Sequence, residues 1–389
     1  MSESRIPLAE PLLSGNERKY LLECLDTNFV SSVGPFVRRF EEEFAASVGS
    51  RFAVACASGT AALHVAMRLV GVEPGDEVFV ASLTFIASAN PIVYEKGVPV
   101  FVDSEAETWN MDPTLVVEEL DRRARLGLRQ PRAVEVVHLL GQPAHIEEVE
   151  EACQRHGVTL IEDASEALGA TYETGRFKGK QVGAIGRIGC FSFNGNKLLT
   201  SGAGGMITTD DPELARRAKH LTTQARLPGL EYRHDAVGYN YRLSNLAAAL
   251  GLAQLEKIDD LLKAKRANAD FYDTHLRNQE GISLRPKTPW VRASHWLYSI
   301  LVEPDQFGRT SRETIEALQA VSIETRPIWS PLHTQKLFEG ALVLGSGNVS
   351  KSLFDRAISL PSSCGLTAAE RTRVVKALES ARIPVGAAR

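Results

Sequence analysis

Short apolar runs alternate with helix-like segments between about residues 50 and 210. Helix-length segments separate most of these runs, and glycine-rich turns flank the last two. Such alternation predicts βαβ units, and therefore a mostly parallel sheet that helices cover on both faces. The seven predicted strands are RFAVACAS (51–58), EVFVASLTF (77–85), PVFVD (99–103), AVEVVHLL (133–140), VTLIED (158–163), IGCFSF (188–193) and GMITT (205–209).

The pattern changes after residue 243, where a long stretch has helical spacing and many small residues. Strand-like SHWLYSILV (294–302) and VSIETRPI (321–328) follow, with helical segments near 311–320 and 366–381. The chain therefore predicts an α/β protein of two domains. We expect a larger domain over residues 1–245, and a smaller α/β domain over 246–389 that a long helix joins to it.

Bulk properties narrow the class of protein. The net charge of −4 across 389 residues does not indicate a nucleic-acid surface. No run approaches the roughly 18 apolar residues of a membrane helix, and the first residues do not resemble a signal peptide. The five cysteines are far apart in the chain, and they fit neither a zinc site nor a disulfide framework. These observations predict a cytoplasmic protein without a metal site.

Candidate chemistry lies at the carboxyl ends of predicted strands, where α/β sheets bind ligands. Ser58-Gly59-Thr60 stands between a strand and a helix, and a helix N-terminus with hydroxyl groups favours a phosphate. A plain helix cap without ligand is the alternative. GAGG (202–205) continues as a strand and is not a dinucleotide fingerprint, which argues against a nicotinamide-dependent dehydrogenase.

Two charged residues complete the pattern. Lys197 lies among apolar and small residues, and a desolvated amine has a lowered pKa and can form a Schiff base with a carbonyl. A lysine that reaches the surface is the alternative.

Asp163 closes a buried strand, where it fits the protonated ring nitrogen of pyridoxal phosphate (PLP). Its alternative is a helix N-cap, because ASEAL follows. The order along the chain favours PLP as the cofactor: a phosphate-binding segment at 58–60 comes first, then the acid Asp163, then Lys197.

Four segments resemble the signature segments of the DegT/StrS-type sugar-nucleotide aminotransferases: SGTAALH (58–64), EDASEALGA (162–170), FSFNGNKLLTSGAGGM (191–206) and GYNYRLSNLAAALG (238–251). The resemblance extends from about Leu13 to Ser363. It implies a fold-type I PLP-dependent transferase, with a mostly parallel seven-stranded sheet in the large domain. It also implies a homodimer whose active sites lie at the subunit interface.

The resemblance assigns roles to individual residues. Lys197 matches the lysine that carries PLP and moves protons, and Asp163 matches the partner of the pyridinium nitrogen. Phe85 matches an aromatic residue stacked on the ring, although a core phenylalanine on a strand is the alternative. The other implied cofactor contacts are Glu166 near the ring, Gly59, Thr60 and Ser192 at the phosphate, and Asn240 reaching the phosphate from the neighbouring subunit.

Four further residues are candidates for substrate contacts. Tyr241 and Arg242 in GYNYR are expected to act from the partner subunit. His333 is expected near the sugar or its diphosphate, with a loop histidine as the alternative. Arg326 is expected at the nucleotide phosphates, with a surface salt bridge as the alternative.

The substrate expectation comes from finer resemblance. FNGNK (193–197), FVSSVG (29–34), LTTQAR (221–226), ETRPIW (324–329) and LPSS (360–363) are similar to the branch that aminates nucleotide-linked 4-keto-6-deoxyhexoses. The resemblance implies transfer of the amino group of L-glutamate to C4 of UDP-4-keto-6-deoxy-N-acetylglucosamine. The alternatives are a GDP-4-keto-6-deoxymannose 4-aminotransferase of the perosamine synthase type, and a PLP-binding regulatory protein without turnover.

Overall fold

The computed structural model describes residues 4–384. Its strands are β1 (Phe52–Cys56), β2 (Glu77–Ala81), β3 (Val98–Val102), β4 (Ala133–Val137), β5 (Thr159–Asp163), β6 (Thr171–Tyr172), β7 (Ile188–Ser192), β8 (Gly205–Thr209), β9 (Ile282–Leu284), β10 (Val291–Arg292), β11 (Tyr298–Val302), β12 (Arg326–Pro327), β13 (Val343–Leu344) and β14 (Ala357–Leu360). Its α-helices are α1 (Glu17–Asp26), α2 (Pro35–Val48), α3 (Gly59–Val70), α4 (Asn90–Tyr94), α5 (Pro113–Leu126), α6 (Ile146–His156), α7 (Pro212–Thr222), α8 (Asn245–Leu255), α9 (Ile258–Leu276), α10 (Pro304–Phe307), α11 (Ser311–Ala320), α12 (Asn348–Arg356) and α13 (Ala368–Ala381).

The large sheet has the strand order β1-β8-β7-β5-β4-β2-β3-β13. Strand β8 is antiparallel to both of its neighbours, and the other neighbouring pairs are parallel. All seven strands predicted from the apolar runs are present, so the mostly parallel sheet is confirmed. The eighth strand, β13, is a two-residue segment from the C-terminal part of the chain, and the sequence analysis did not predict it.

Helices cover both faces of this sheet, as the continuous apolar runs require. On β2, Phe79 packs into one core with α1, α2, α5, α6 and α8. Its neighbours Val78 and Val80 pack into the second core, with α3 and α7. Successive strand residues therefore face opposite helix layers. A polar side chain in the middle of a strand is buried on either face and lowers the stability of the fold unless it is hydrogen-bonded.

A second sheet, with the order β12-β14-β11-β9, is antiparallel throughout. Helices α9, α11 and α13 pack on it around a separate apolar core. Ile6 near the N-terminus pairs with Ile323 beside this sheet. Helix α8 packs against α1 and α2, and β13 extends the large sheet, so segments after residue 245 also contribute to the larger unit. The domain boundary at residue 245 stays a prediction.

The parallel strands end at one edge of the large sheet, and the candidate residues follow those ends. Cys56 at the end of β1 and Ser192 at the end of β7 both pair with Gly205 of β8. Segments that are distant in sequence thus meet at one edge. Within residues 4–384, none of the helices combines the length and apolar character that a bilayer span requires.

Candidate active site

A phosphate-sized cradle lies at the start of α3. The Ser58 hydroxyl oxygen accepts a hydrogen bond from the Ala61 amide at 3.1 Å and so caps the helix. A Cβ atom on Gly59 would lie 2.7 Å from Cβ of Ser192, 3.1 Å from its Oγ and 3.3 Å from Oγ of Ser165. The absence of a side chain on Gly59 therefore leaves room between the helix N-terminus and two hydroxyl groups. This is the environment that binds a phosphate dianion.

Asp163 ends β5 and is 5% exposed. Its Oδ2 atom accepts a hydrogen bond from the Ser88 hydroxyl at 2.8 Å, and its Oδ1 atom accepts one from the Ser165 amide at 3.1 Å. Residues 165–169 form turns rather than a helix, so the helix-cap alternative for Asp163 is wrong. Two donors fix the carboxyl group in place and leave it able to accept a further hydrogen bond.

Lys197 lies in the turn after β7, where its amide donates to the Asn194 carbonyl at 3.0 Å. Its side chain is 13% exposed, so the surface alternative for this lysine is wrong. The Nζ atom lies 3.7 Å from Oε1 of Glu166 and 3.8 Å from the centre of the Trp296 ring. Burial lowers the pKa of the Lys197 amine, and the charge of Glu166 opposes that shift. The amine is thus closer to its neutral, nucleophilic form than a surface lysine.

Glu166 is held through both carboxyl oxygens. The Leu140 amide donates to Oε2 at 2.8 Å, and the Trp329 indole donates to Oε1 at 3.1 Å. Leu140 has a φ of 56°, in the left-handed region, and this strained backbone aims its amide at the carboxyl group. Burial raises the pKa of Glu166, while Lys197 lowers it. The site therefore disfavours a charge on either partner of the Lys197–Glu166 pair.

Three aromatic side chains line the remaining wall. The ring centres of Phe85 and Trp329 are 5.0 Å apart, and those of Trp296 and Trp329 are 6.3 Å apart with nearly parallel planes. Phe85 is 49% exposed, so the core alternative for this residue is wrong. Sequence reasoning missed both tryptophans as site residues. Trp329 ends the segment ETRPIW, whose resemblance to the family branch is a signal for this position, whereas nothing local to Trp296 indicates its position.

One cavity of about 300 Å³ brings most of the predicted residues together. It also contains Thr84, Ser88, Ser165 and Asn196, which the sequence analysis did not select. An anion cradle, a buried acid, a desolvated lysine and an aromatic wall around a cavity of this size fit a phosphorylated pyridine ring. The predicted residues that line it are Gly59, Thr60, Phe85, Asp163, Glu166, Ser192 and Lys197.

The other predicted residues lie elsewhere in the chain. The Asn240 side-chain oxygen accepts from Arg242, which lines a surface pocket formed by residues 223–242. The Tyr241 hydroxyl lies 3.0 Å from Nδ1 of His64, on the α3 side of the sheet. None of these three side chains enters the cavity of its own subunit within the described chain.

Arg326 and His333 also lie outside this cavity. Arg326 is exposed, pairs with Glu324 at 3.1 Å and lines a neighbouring cavity of about 650 Å³ that shares Trp296 and Trp329 with the first. His333 is bonded to the Ser82 hydroxyl through Nδ1, and burial lowers its pKa. Their substrate roles stay predictions.

A family model for the DegT/DnrJ/EryC1/StrS aminotransferases matches residues 11–379. The chain belongs to this family. EpsN from Bacillus subtilis (strain 168), named as a pyridoxal phosphate-dependent aminotransferase, is 42% identical over 377 residues, or 96% of this chain and 95% of EpsN. GDP-perosamine synthase from Caulobacter vibrioides is 39% identical, over 96% of this chain and 98% of the synthase.

The solved structures agree with this assignment. A DegT DnrJ EryC1 StrS aminotransferase from Brucella abortus superposes with a TM-score of 0.86 at 27% identity, over 94% of this chain and 95% of that one. The fold class is therefore confirmed, and the protein is a PLP-dependent sugar aminotransferase. Membership contradicts the dehydrogenase alternative, and it favours an enzyme over a regulator without turnover.

Proposed function

We propose that the protein transfers the amino group of L-glutamate to C4 of a nucleotide-linked 4-keto-6-deoxyhexose. The products are 2-oxoglutarate and a 4-amino-4,6-dideoxy sugar nucleotide. The observation that carries the proposal is the desolvated amine of Lys197, which shares one cavity with Asp163 and the cradle at Gly59. A lysine in this setting suits repeated proton transfer, because its pKa lies below that of a surface amine.

Different residues of the cavity bind different groups of PLP. The amides at the start of α3, with Thr60 and Ser192, bind the phosphate. Asp163 binds the ring nitrogen, and its two hydrogen-bond donors hold the carboxyl group in position. When bound, PLP would supply a carbonyl that reacts with the amine substrate. Its ring would also accept the electron pair that remains on the substrate carbon after a proton is removed. Lys197 takes and returns the proton, while Phe85 and the tryptophans exclude water.

We propose UDP-4-keto-6-deoxy-N-acetylglucosamine as the amino acceptor. The resemblance of FVSSVG and ETRPIW to the corresponding branch supports this choice. The neighbouring cavity of about 650 Å³, which Trp296 and Trp329 separate from the cofactor site, offers space for a nucleotide. Arg326 on its wall supplies a cation for the diphosphate, provided that it releases Glu324.

GDP-4-keto-6-deoxymannose is the second candidate acceptor. Three relatives named GDP-perosamine synthase, from Caulobacter vibrioides, Escherichia coli O157:H7 and Vibrio cholerae, are 37–39% identical over 92–96% of this chain. Both candidates share the 4-keto-6-deoxy ring. They differ in the nucleotide and in the substituent at C2, which the cavity around Lys197 does not distinguish.

We further propose that the working unit is a homodimer, in which Asn240, Tyr241 and Arg242 complete the partner's site. Aminotransferases of this family are typically dimeric. The segment 223–242 exposes apolar side chains, with Leu230 100% and Tyr232 78% exposed in the single chain. Exposed apolar groups of this size are typical of surfaces that bind another protein.

An assay with a panel of acceptors tests the proposal. The protein with PLP is incubated with L-glutamate and the 4-keto-6-deoxy sugars of UDP, GDP and dTDP, and both 2-oxoglutarate and the aminated nucleotide are measured by mass spectrometry. We expect the highest kcat/KM with the UDP-linked N-acetyl sugar and no product from Lys197→Ala. A preference for the GDP sugar would select the second candidate. Turnover of none of the three would reject the proposed substrate class.

A further inference from the structure

Three buried side chains on one face of α9 bind the backbone that follows β14. They are spaced at i, i+3 and i+7, which places them on a common stripe. The Lys265 amine donates to the Ser362 carbonyl at 2.6 Å, Asn268 donates to the Ser363 carbonyl at 2.9 Å, and the Tyr272 hydroxyl donates to the Pro361 carbonyl at 2.9 Å. This stripe fastens the long helix to residues 361–363.

Asn268 also accepts a hydrogen bond from Arg371 at 3.1 Å, but Lys265 is the member of the stripe that also binds Trp296. Its Nζ atom also donates to the Trp296 carbonyl at 2.8 Å. The side chain is buried, and no acidic group pairs with it in residues 4–384. Burial lowers its pKa to about 8. An amide side chain would fasten a helix at lower cost, because a buried ammonium bound by carbonyls alone carries a large desolvation penalty. This desolvation penalty indicates that the hydrogen bond from Lys265 to the Trp296 carbonyl has a function of its own.

Trp296 connects Lys265 to the active site. Its carbonyl binds Lys265, its indole N–H donates to the Asn196 carbonyl at 2.7 Å, and its ring covers the Lys197 amine at 3.8 Å. Asn196 directly precedes Lys197 in the chain. Both the backbone and the ring of Trp296 are therefore fixed, and a single residue separates the buried amine of Lys265 from that of Lys197.

We propose that Lys265 is a positioning residue for Lys197: by fixing the Trp296 backbone, it keeps the indole over the Lys197 amine and keeps water away from it. The cover desolvates the Lys197 amine, which disfavours the charged form, while the indole face itself attracts an ammonium. The catalytic importance of this cover rests on the proposed function. The cover itself does not, and it is tested without substrate.

The test measures the accessibility of Lys197 in the apoprotein. Trinitrobenzenesulfonate, a bulky reagent for neutral amines, is added over a range of pH, and modification of Lys197 is followed by peptide mapping. The limiting rate at high pH is the informative quantity, because there it reports access to the amine rather than its charge. The pH midpoint also depends on the charges of Glu166 and Asp163, so the midpoint alone is not used.

We expect Lys265→Met to raise the limiting rate of Lys197 modification by about tenfold, as expected when a fixed cover worth ~1.4 kcal/mol is released. Lys265→Arg, which keeps the donors, should restore most of the protection. Tyr272→Phe is the matched control: it removes a donor from the same stripe and segment without touching Trp296, and its limiting rate should equal that of the wild type.

An unchanged limiting rate in folded Lys265→Met would overturn the proposal, and so would an equal increase in Tyr272→Phe. If Lys265→Met does not fold, Lys265→Gln serves in its place, with a donor too short to bridge both carbonyls and the same expected increase. If the wild-type protein protects Lys197 but does not transaminate, the proposed function is rejected and the role of Lys265 stands. If the wild-type enzyme is active but its Lys197 is not protected, the proposed function stands and the role of Lys265 is rejected.

Discussion

Nζ of Lys197 and Oε1 of Glu166 lie 3.7 Å apart in a buried cavity, and each group shifts the pKa of the other toward the charged form. Burial acts in the opposite direction and is the larger effect on both groups. The Trp329 indole and the Leu140 amide hold Glu166 at this distance. The carboxyl group thus limits how far the amine pKa falls.

Replacing Glu166 with Gln should lower the pKa of Lys197 further. The amide keeps an oxygen for the Trp329 indole but removes the charge that favours the ammonium form. The pH midpoint of Lys197 modification in the apoprotein measures this, and we expect it to move down. Glu118→Gln, at an exposed position on α5, is the control and should leave the midpoint unchanged. A midpoint that rises in Glu166→Gln would contradict this account of the pair.

Gly59→Ala should weaken PLP binding. The added Cβ atom would lie 2.7 Å from Cβ of Ser192, which belongs to a strand and cannot move aside. We expect the Kd for PLP, measured by equilibrium titration, to rise at least tenfold, which corresponds to about 1.4 kcal/mol. In the control variant Gly365→Ala, the nearest heavy atom to the new Cβ is 3.7 Å away, and affinity should be unchanged. Equal affinities in both variants would mean that the cradle does not hold the phosphate.

Glu135 in the middle of β4 should make stability fall as pH rises. It is fully buried, neither of its carboxyl oxygens has a hydrogen-bond partner in the described chain, and burial together with Asp163 raises its pKa well above the usual value. Between the unfolded and folded pKa values the folded state binds more protons, so the free energy of unfolding decreases with increasing pH.

Glu135→Gln removes this titration. Urea unfolding at pH 5 and pH 8 should show that the variant gains about 1–3 kcal/mol relative to the wild type at the higher pH. Glu118→Gln should show the same difference from the wild type at both pH values. If the advantage of Glu135→Gln is constant or shrinks as pH rises, Glu135 is not the buried neutral acid that the structure indicates.

Mixing two inactive variants tests whether Asn240 serves the partner's site. Asn240→Ala and Lys197→Ala should each be inactive or nearly so. After the two are unfolded and refolded together, half of the dimers are mixed and each mixed dimer has one complete site. The mixture should therefore recover about a quarter of wild-type activity. Recovery would be absent if Asn240 acted within its own subunit, and an Asn240→Ala variant that is fully active by itself would show that Asn240 has no part in the site.

The large sheet was predictable because its buried strands are mainly apolar runs separated by helix-length segments or glycine-rich turns, and all seven runs formed strands. Strand β13 was not, because two residues carry no periodicity and its pairing with β3 is entirely tertiary. The residues at strand ends, such as Asp163 and Lys197, were found for the same reason: topology brings the carboxyl ends of parallel strands together.

The rest of the site depends on contacts between distant segments. Trp296 precedes β11 of the second sheet, and only packing between the two sheets places its ring over Lys197. Glu135 appears in an otherwise apolar strand, where sequence alone gives no sign that it is buried without a partner. Ser88 lies in a turn after β2, and its bond to Asp163 depends on two strands meeting at one edge. Local patterns carry none of these relationships.

Locating the covalent attachment of PLP tests the central claim most directly. The PLP-loaded protein is reduced with borohydride, digested and mapped by mass spectrometry, with Lys197→Ala treated in parallel. The structure predicts one modified peptide, with the label on Lys197, and none in the variant. A label on another lysine, such as the buried Lys265, or a label that persists in Lys197→Ala would contradict it.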